Sequence, residues 1–219
     1  MNPADLPPAV VRPLLLVISA PSGAGKSTLC RTLLASYPSM RYSISATTRA
    51  PRGEEQDGRE YYFLTPREFE RRVQAGAFLE HAQVHGHRYG TLRAPVEQAL
   101  RSGHDIVMAI DVQGAAQIRS LARQSPPEDI VRQAFADVFV VPPSMAELRR
   151  RLECRAEDPP HTVARRLRTA AKEIACWGEY RYLIVNDQLE DASARLAAIV
   201  AAEHCRNLGS DECRRTSVA

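Results

Sequence analysis

The stretch Ala20-Pro-Ser-Gly-Ala-Gly-Lys-Ser-Thr28 combines two glycines, a lysine and hydroxyl side chains between an apolar segment and a segment with helical spacing. A turn of this composition can direct backbone N–H groups inward, and the helix N-terminus that follows adds partial positive charge. The stretch matches the phosphate-binding pattern G-x-x-x-x-G-K-[ST] at every position but the first, where Ala20 replaces glycine. Alanine is tolerated there if its φ angle stays negative. We therefore predict a nucleotide-phosphate site with Lys26 as its cation.

Lysine is rare elsewhere in the chain, which has 29 basic residues of which only Lys26 and Lys172 are lysine. The compact ammonium of lysine suits a position between the β- and γ-phosphates of a nucleotide. The alternative is a glycine–serine turn with an incidental lysine, and the strand–turn–helix context of the stretch argues against it.

Two arginine clusters are further candidates for phosphate chemistry. The polar stretch 47–58 lies between two predicted strands and carries Arg49 and Arg52, while the stretch 149–168 holds seven arginines against three acidic residues. Guanidinium groups pair with phosphate oxygens bidentately. The first stretch could therefore hold a small anionic ligand, and the second could act as a mobile cationic lid. A solvated charged surface is the alternative for each.

Apolar runs predict four buried strands, at 14–19, 105–111, 137–141 and 182–186. They alternate with segments of helical spacing, which indicates a parallel α/β sheet flanked by helices. The second run ends in Asp111, and a carboxylate at the carboxyl end of a strand is positioned for the Mg²⁺–phosphate region. Region 41–93, with its own predicted strands at 42–46 and 61–64, is expected to be an insertion.

Local signals predict several element boundaries. The helix after the phosphate loop is expected to begin at Thr28, and a capping box at Ser144 and Glu147 predicts the start of the helix that enters the arginine-rich stretch. The connection 124–133 is polar and contains two prolines, so we expect a surface loop there.

Bulk composition limits the class of protein. A chain of 219 residues is expected to form one domain with lobes, and its net charge of +3 is too small to indicate nucleic-acid binding. Five cysteines without a C-x-x-C pair predict reduced thiols in a cytoplasmic protein. The apolar run 10–18 contains Pro13 and leads into the phosphate loop, which argues against a signal peptide, and no run approaches the length of a membrane span. The ends, 1–12 and 204–219, are expected to be tails, with disorder in the first.

Further motifs follow the phosphate loop in an order and spacing that resemble the guanylate kinase family of nucleoside monophosphate kinases over residues 14–203. They are Ser45-Ala-Thr-Thr-Arg-Ala-Pro-Arg52, Asp57-Gly-Arg-Glu-Tyr-Tyr-Phe63, Phe78-Leu-Glu80, Tyr89-Gly-Thr91, Ile110-Asp-Val-Gln-Gly114, Pro142-Pro-Ser144 and Val185-Asn-Asp187, with arginines at 151, 155 and 166. The resemblance implies a P-loop kinase core (14–40, 94–148 and 169–203), an inserted GMP-binding lobe (41–93) and an arginine-rich lid (149–168). It implies ATP-dependent phosphorylation of GMP or dGMP with Mg²⁺.

The resemblance also divides the site into two halves. ATP binding falls to Ala20, Pro21, Ser22, Gly23, Ala24, Gly25, Lys26, Ser27, Thr28 and Asn186. Asn186 would contact adenine, although a strand-end asparagine could equally be a turn residue. The catalytic residues would be Lys26, Arg151, Arg155 and Arg166, because a loose phosphoryl-transfer transition state is stabilised by charge neutralisation. Ser27 would bind Mg²⁺ together with water and the ATP phosphates, with Asp111 as a second candidate ligand.

The GMP-binding half comprises Ser45, Arg49, Arg52, Glu55, Tyr61, Glu80, Tyr89, Thr91 and Asp111. The two arginines would hold the GMP phosphate with the two tyrosines, and Glu55 would orient this cluster. Glu80 would accept hydrogen bonds from N1–H and the 2-amino group of guanine, with Ser45 and Thr91 beside it, whereas adenine presents no such edge. For Glu80 alone, an ordinary surface acid is the alternative.

Three features depart from the family pattern: Ala20 itself, Ala109 in place of an additional acid two residues before Asp111, and the long connection 124–133. The second departure would leave Mg²⁺ to Asp111, Ser27 and water. A separate cluster of histidines at 81, 85 and 87 would allow a metal site, but no carboxylate or cysteine lies at a fitting spacing.

Three other functions stay open. A guanylate-kinase-like protein-binding module without catalysis would be expected to lose the phosphate loop or the lid arginines, and both are present. A related kinase that phosphorylates a sugar phosphate would not need Glu80 and Thr91 for a base edge. A switch GTPase would carry a guanine-reading Asn-Lys-x-Asp motif, which this sequence lacks.

Overall fold

A five-stranded parallel sheet forms the centre of the structure, a computed structural model that describes residues 12–84, 86–154 and 159–206. The strands lie in the order β2 (Arg41–Tyr42), β7 (Ile106–Ala109), β1 (Leu15–Ser19), β8 (Phe135–Val141) and β9 (Tyr182–Val185). All of their pairings are parallel. The predicted parallel α/β core is confirmed.

Helices cover both faces of this sheet. On one face lie α1 (Lys26–Ser36) and α8 (Leu189–His204), and on the other lie α3 (Arg93–Arg101), α4 (Val112–Gln124) and α5 (Ile130–Ala134). Because side chains alternate along a strand, Leu16 and Ile18 of β1 pack with the first pair while Leu15 and Val17 pack with the second group. β1 is therefore buried on both sides, and its carboxyl end delivers the phosphate loop to one edge of the sheet.

A second, four-stranded sheet lies entirely within 41–93, which we call the lobe segment. Its order is β4 (Tyr61–Phe63), β3 (Ser45–Thr47), β6 (His87–Leu92) and β5 (Phe78–Val84). The helix α2 (Pro66–Gln74) buries Phe69 against Phe78 of this sheet, with ring centroids 4.5 Å apart. This small core gives the lobe segment packing of its own.

We call the stretch 149–168 the lid segment. Its described residues lie on two helices, α6 (Met145–Cys154) and α7 (Pro160–Ile174), with Pro159 directly before the second. A five-residue apolar cluster joins them: Leu148, Leu152, Val163, Leu167 and Ala170. One half of the predicted capping box is present, since Ser144 Oγ accepts from the Glu147 N–H at 3.0 Å, while the Glu147 carboxylate binds Arg150 and Arg151. After α7, a 3₁₀ turn (Trp177–Glu179) leads to β9. The division into core, lobe and lid stays a prediction.

Three predicted boundaries are wrong. The predicted strand 42–46 is two strands in two sheets, because Tyr42 pairs with Val107 whereas Ala46 pairs with Gly90. The predicted loop 124–133 contains the start of α5, whose Asp129 caps it by accepting from the Arg132 N–H at 2.9 Å. The helix after the phosphate loop begins at Lys26 and not at Thr28.

The predicted tails lie mostly beyond what the structure describes, since residues 1–11 and 207–219 are outside the described ranges. Among the described residues, no helix combines the length and the apolar character needed to cross a bilayer.

Candidate active site

The phosphate loop occupies the turn between β1 and α1, and its backbone explains both glycines. Gly23 and Gly25 have φ angles of 91° and 94°, a region in which L side chains are strained. Ala20, the departure from the pattern, is buried in the core cluster that also holds Leu16 and Ile18. Since α1 starts at Lys26, the loop opens onto the positive end of the helix dipole, as an anion site requires.

Lys26 lies at the junction of the loop and the central sheet. Its Nζ donates to the Ile110 carbonyl, just beyond β7, at 2.8 Å. Burial lowers the pKa of Lys26, while the nearby Cys30, Asp111 and Glu173 act in the opposite sense. A partly desolvated ammonium interacts strongly with an incoming phosphate, because little water screens the charge.

Two neighbours brace the loop from outside. The side chain of Asn186 is buried, and its Nδ2 donates to the Ala24 carbonyl at 2.8 Å. A Cβ on Gly23 would lie 3.0 Å from side-chain atoms of both Leu148 and Leu152 of α6. The loop therefore contacts the turn after β9 on one side and the base of the lid segment on the other.

A cleft of about 250 Å³ lies where the lobe segment faces the end of β7. Five of the predicted GMP-binding residues line it: Ser45, Tyr61, Glu80, Tyr89 and Asp111. The structure adds lining residues that had no predicted role: Tyr42, Glu60, Ala82, Ala109 and Ile110. Ala109, where the family pattern places an acid, thus faces the cleft. Glu60 belongs to the motif Asp57–Phe63 that carries part of the family resemblance, so the sequence did mark its position.

Glu80 is the buried carboxylate of this cleft, with an exposed fraction of 6%. Its Oε1 accepts from Thr91 Oγ1 at 2.7 Å. A Cβ on Gly114 would lie only 2.7 Å from its Oε2, so the absence of a side chain at Gly114 gives Glu80 its space. Burial raises the pKa of Glu80 to about 7, and the charge of Asp111 adds to the rise. The alternative of an ordinary surface acid is therefore wrong.

Arg49 is held in a fixed orientation at the lobe side of the site. It is 7% exposed, and its Nη2 donates to both oxygens of Glu55, at 3.0 and 2.9 Å. Its guanidinium carbon also lies 5.3 Å from the centre of the Tyr61 ring. The backbone N–H of Arg52 donates to Glu55, which together with Arg49 lowers the pKa of this carboxyl. Glu55 thus joins the side chain of Arg49 to the backbone at Arg52, whose own side chain is exposed.

The tyrosines of the predicted cluster lie together. The rings of Tyr61 and Tyr89 meet edge to face, with centroids 6.1 Å apart. Both are half-buried in the cleft, next to the side chain of Arg49. Two tyrosines, each with a neutral hydroxyl group, therefore line the cleft near a cation, a combination suited to a phosphate.

The predicted lid arginines are placed unequally. Arg151 of α6 donates through Nε to Glu147 Oε1 at 2.7 Å and through Nη2 to the Asp187 carbonyl at 3.4 Å. Arg166 lies half-buried on α7, and Arg155 is outside the described residues. Arg151 is thus anchored next to the turn that also braces the phosphate loop.

Donor atoms for Mg²⁺ are present but few. Ser27 is exposed on the first turn of α1, and Asp111 caps α4 by accepting from the Gly114 N–H at 2.8 Å. In the described part of the chain, no group of three or more His, Cys, Asp or Glu side chains could hold a metal ion. These residues fit an ion that is bound largely by substrate phosphates and water, as Mg²⁺ commonly is.

Glu173 is an acidic residue near the site that sequence reasoning missed. It lies on α7, and burial raises its pKa while Lys26 opposes the rise. Nothing in its helical context marks it, since it follows Lys172 on an otherwise ordinary helix.

Comparisons with known proteins agree with this geometry. The guanylate kinase family model matches residues 12–203. The guanylate kinase of Cereibacter sphaeroides is 51% identical over 197 residues, 89% of this chain and 89% of that protein. The guanylate kinase of Ruegeria pomeroyi is 44% identical over 197 residues, 90% of this chain and 89% of that protein. The crystal structure of guanylate kinase from Anaplasma phagocytophilum superimposes with a TM-score of 0.68 at 34% identity, covering 93% of this chain and 94% of that one.

Proposed function

The chain belongs to the guanylate kinase family, and we propose that it transfers the γ-phosphoryl group of ATP to GMP, with dGMP as a second acceptor. The observation that carries the proposal is the cleft lined by the buried Glu80 and by Tyr61, against whose ring the guanidinium of Arg49 lies. A carboxylate for the base and a guanidinium for the phosphate match the two ends of a nucleoside monophosphate. The products would be GDP and ADP.

Base selection would come from Glu80 and its surroundings. With Thr91 already bound to Oε1, the carboxylate keeps acceptor capacity for N1–H and the 2-amino group of guanine. Adenine offers no matching donors, so beside it the buried carboxylate would gain no hydrogen bond to replace those it makes with water in the free protein. Such a mismatch commonly gives discrimination of several kcal/mol, on the order of 10⁴-fold.

Phosphoryl transfer would depend on positioning and on charge. Arg49, Arg52 and Tyr61 would hold the GMP phosphate so that its oxygen attacks in line, and that oxygen is largely ionised near neutral pH without a general base. Lys26 and the predicted lid arginines would neutralise the charge that spreads over the transferring group. When bound, Mg²⁺ would neutralise further phosphate charge, and Ser27 with Asp111 would face it.

A panel of acceptors with ATP tests the proposal directly. GMP, dGMP, AMP, UMP and ribose 5-phosphate are each offered to the full chain, and ADP release is followed in a coupled assay. We expect turnover with GMP and dGMP and at least 10³-fold lower kcat/KM with AMP, as the loss of two charged hydrogen bonds implies. Comparable rates with AMP would contradict the role of the cleft.

The same panel separates the other functions. A protein-binding module would form no GDP with any acceptor. A sugar-phosphate kinase would turn over ribose 5-phosphate, and Glu80→Gln would leave that activity intact while it impairs a GMP kinase. The intact loop at Lys26 and the buried Glu80 both support the nucleotide kinase.

A further inference from the structure

We propose that Asn186 is a positioning residue of the phosphate loop, which fixes the orientation of the peptide between Ala24 and Gly25. This inference rests on the proposed function, because the loop is where the donor phosphates would bind. It assigns Asn186 a different task from the adenine contact that the family resemblance implies.

Asn186 joins the loop to the central sheet. It directly follows β9, and its N–H donates to the Val141 carbonyl at the end of β8 at 2.8 Å. Its side chain is 5% exposed and donates through Nδ2 to the Ala24 carbonyl at 2.8 Å, across 162 positions of sequence. A rigid sheet edge thus holds one carbonyl of the loop.

The fixed carbonyl also determines the direction of the next N–H group. The peptide unit is planar and trans, so its C=O and N–H point to opposite sides. With the Ala24 carbonyl bound to Asn186, the Gly25 N–H points away from Asn186. This is the orientation that a phosphate-binding loop needs, since a carbonyl turned toward the phosphate would repel it.

Gly25 makes this contact possible and also makes it necessary. Its φ angle is 94°, and a Cβ at this position would overlap Asn186 Nδ2. Glycine lets the chain approach the carboxamide, but it also gives this peptide more conformational freedom than any other residue would. The hydrogen bond from Asn186 removes that freedom.

The following residue extends the connection to the lid segment. The Asp187 carbonyl accepts from Arg151 Nη2 at 3.4 Å. Asn186 therefore contacts the phosphate loop, and the next residue, Asp187, contacts a predicted catalytic arginine. This turn fixes the position of the loop relative to Arg151.

Asn186→Ala tests the proposal with probes that separate phosphate from base. Inorganic tripolyphosphate carries the phosphates without a base, and adenosine carries the base without phosphates; each is measured as an inhibitor competing with ATP. We expect Asn186→Ala to raise KM for ATP and the Ki of tripolyphosphate by the same factor, about tenfold. The reason is that the Ala24 carbonyl would lose the hydrogen bond that holds it away from the phosphates. The Ki of adenosine and the Kd of GMP from titration calorimetry should stay within about twofold.

Matched variants keep the test decisive. Gln188→Ala alters an exposed side chain two residues along that makes no capping hydrogen bond, and it should behave as wild type. If Asn186→Ala does not fold, as judged by circular dichroism and GMP binding, Asn186→Ser leaves a smaller cavity and should show the same pattern.

Three results would overturn the proposal: an unchanged Ki for tripolyphosphate, a rise confined to adenosine and ATP, or equal losses of GMP and tripolyphosphate binding in a folded variant. The second result would restore the adenine contact. Failure of the proposed function would look different, since the wild-type protein would then form no GDP from ATP and GMP.

Discussion

Replacement of Glu80 by glutamine should separate the stability of the protein from its choice of substrate. The substitution keeps the size of the side chain and an acceptor for Thr91, but it removes the charge and turns one acceptor oxygen into an NH₂ donor. Glu80 is buried, so both changes act in a site with little water. We expect Glu80→Gln to use GMP poorly and yet to be more stable than the wild type at alkaline pH.

The expected loss with GMP follows from the hydrogen bonds that Glu80 would make. A hydrogen bond to a charged group contributes roughly 1.5–3 kcal/mol, and the variant would present an NH₂ group to one of the two guanine donors. A loss of about 3 kcal/mol lowers kcat/KM for GMP on the order of 10²-fold. AMP presents neither donor, so its low kcat/KM should change by less than about threefold.

The expected gain in stability follows from the pKa. Burial raises the pKa of Glu80 from 4.5 to about 7, so the folded protein holds a proton that the unfolded chain has lost between these two values. This bound proton stabilises the folded protein at low pH. As pH rises through 7 the proton is lost, and the free energy of unfolding falls by about 3 kcal/mol. Glutamine has no such cost. The free energy of unfolding of Glu80→Gln, relative to wild type, should therefore rise by up to about 3 kcal/mol between pH 5 and pH 8.

Urea unfolding at pH 5 and pH 8 measures the stability, and initial rates of ADP release measure kcat/KM. Glu97→Gln serves as control, because Glu97 pairs with the surface residues Arg93 and Arg101 on α3. The reasoning is refuted if Glu80→Gln keeps wild-type kcat/KM for GMP, or if its relative stability does not rise with pH.

Four further outcomes follow from the same contacts. Lys26→Ala should still bind GMP in titration calorimetry but lose on the order of 10³-fold in kcat, because the cation beside the transferring group is gone; normal ADP release would refute this. Gly114→Ala would place a Cβ 2.7 Å from Glu80 Oε2, so KM for GMP should rise about tenfold while KM for ATP stays within about twofold; parallel rises would point to general misfolding. Arg49→Lys should raise KM for GMP about tenfold, since one ammonium cannot replace both Nη2, which donates to Glu55, and Nη1, which donates to the Ala50 carbonyl; an unchanged KM would remove Arg49 from the site. In the wild type, kcat/KM for GMP should fall as pH is lowered through about 7, where Glu80 takes up its proton; the same inflection in Glu80→Gln would assign it to another group.

Sequence patterns predicted four of the five strands of the parallel core, because apolar runs bounded by turn residues are local signals. The fifth strand, β2, is an exposed Arg41–Tyr42 pair without such a run, and β9 was wrongly predicted as buried, since Leu183 and Val185 are exposed. The phosphate loop was equally local, since Gly23, Gly25 and Lys26 all lie within one turn. Contacts between distant segments had no such signal. The split between Tyr42 and Ser45 depends on pairing with two strands, β7 and β6, whose partner residues lie 42 to 65 positions away along the chain.

The bracing of the site was the least predictable part. The sequence near Gly25 does not predict that the carboxamide of Asn186, 161 positions later, lies beside it. The sequence near Gly114 likewise does not predict its contact with Glu80. Both contacts involve glycines that appear in motifs, so the sequence marked the positions without giving the reason. Glu60 stands inside a motif that carried the family resemblance and lines the cleft, but it was given no role.

The two halves of the site meet in the five residues that follow β7. The Ile110 carbonyl accepts from Lys26 Nζ, Asp111 caps α4 through the Gly114 N–H, and Gly114 packs against Glu80. One short segment, 110–114, therefore contacts the cation of the donor half and the carboxylate of the acceptor half. Because Asp111 and Gly114 both belong to the N-terminus of α4, a shift of that helix end would alter the surroundings of Lys26 and Glu80 together.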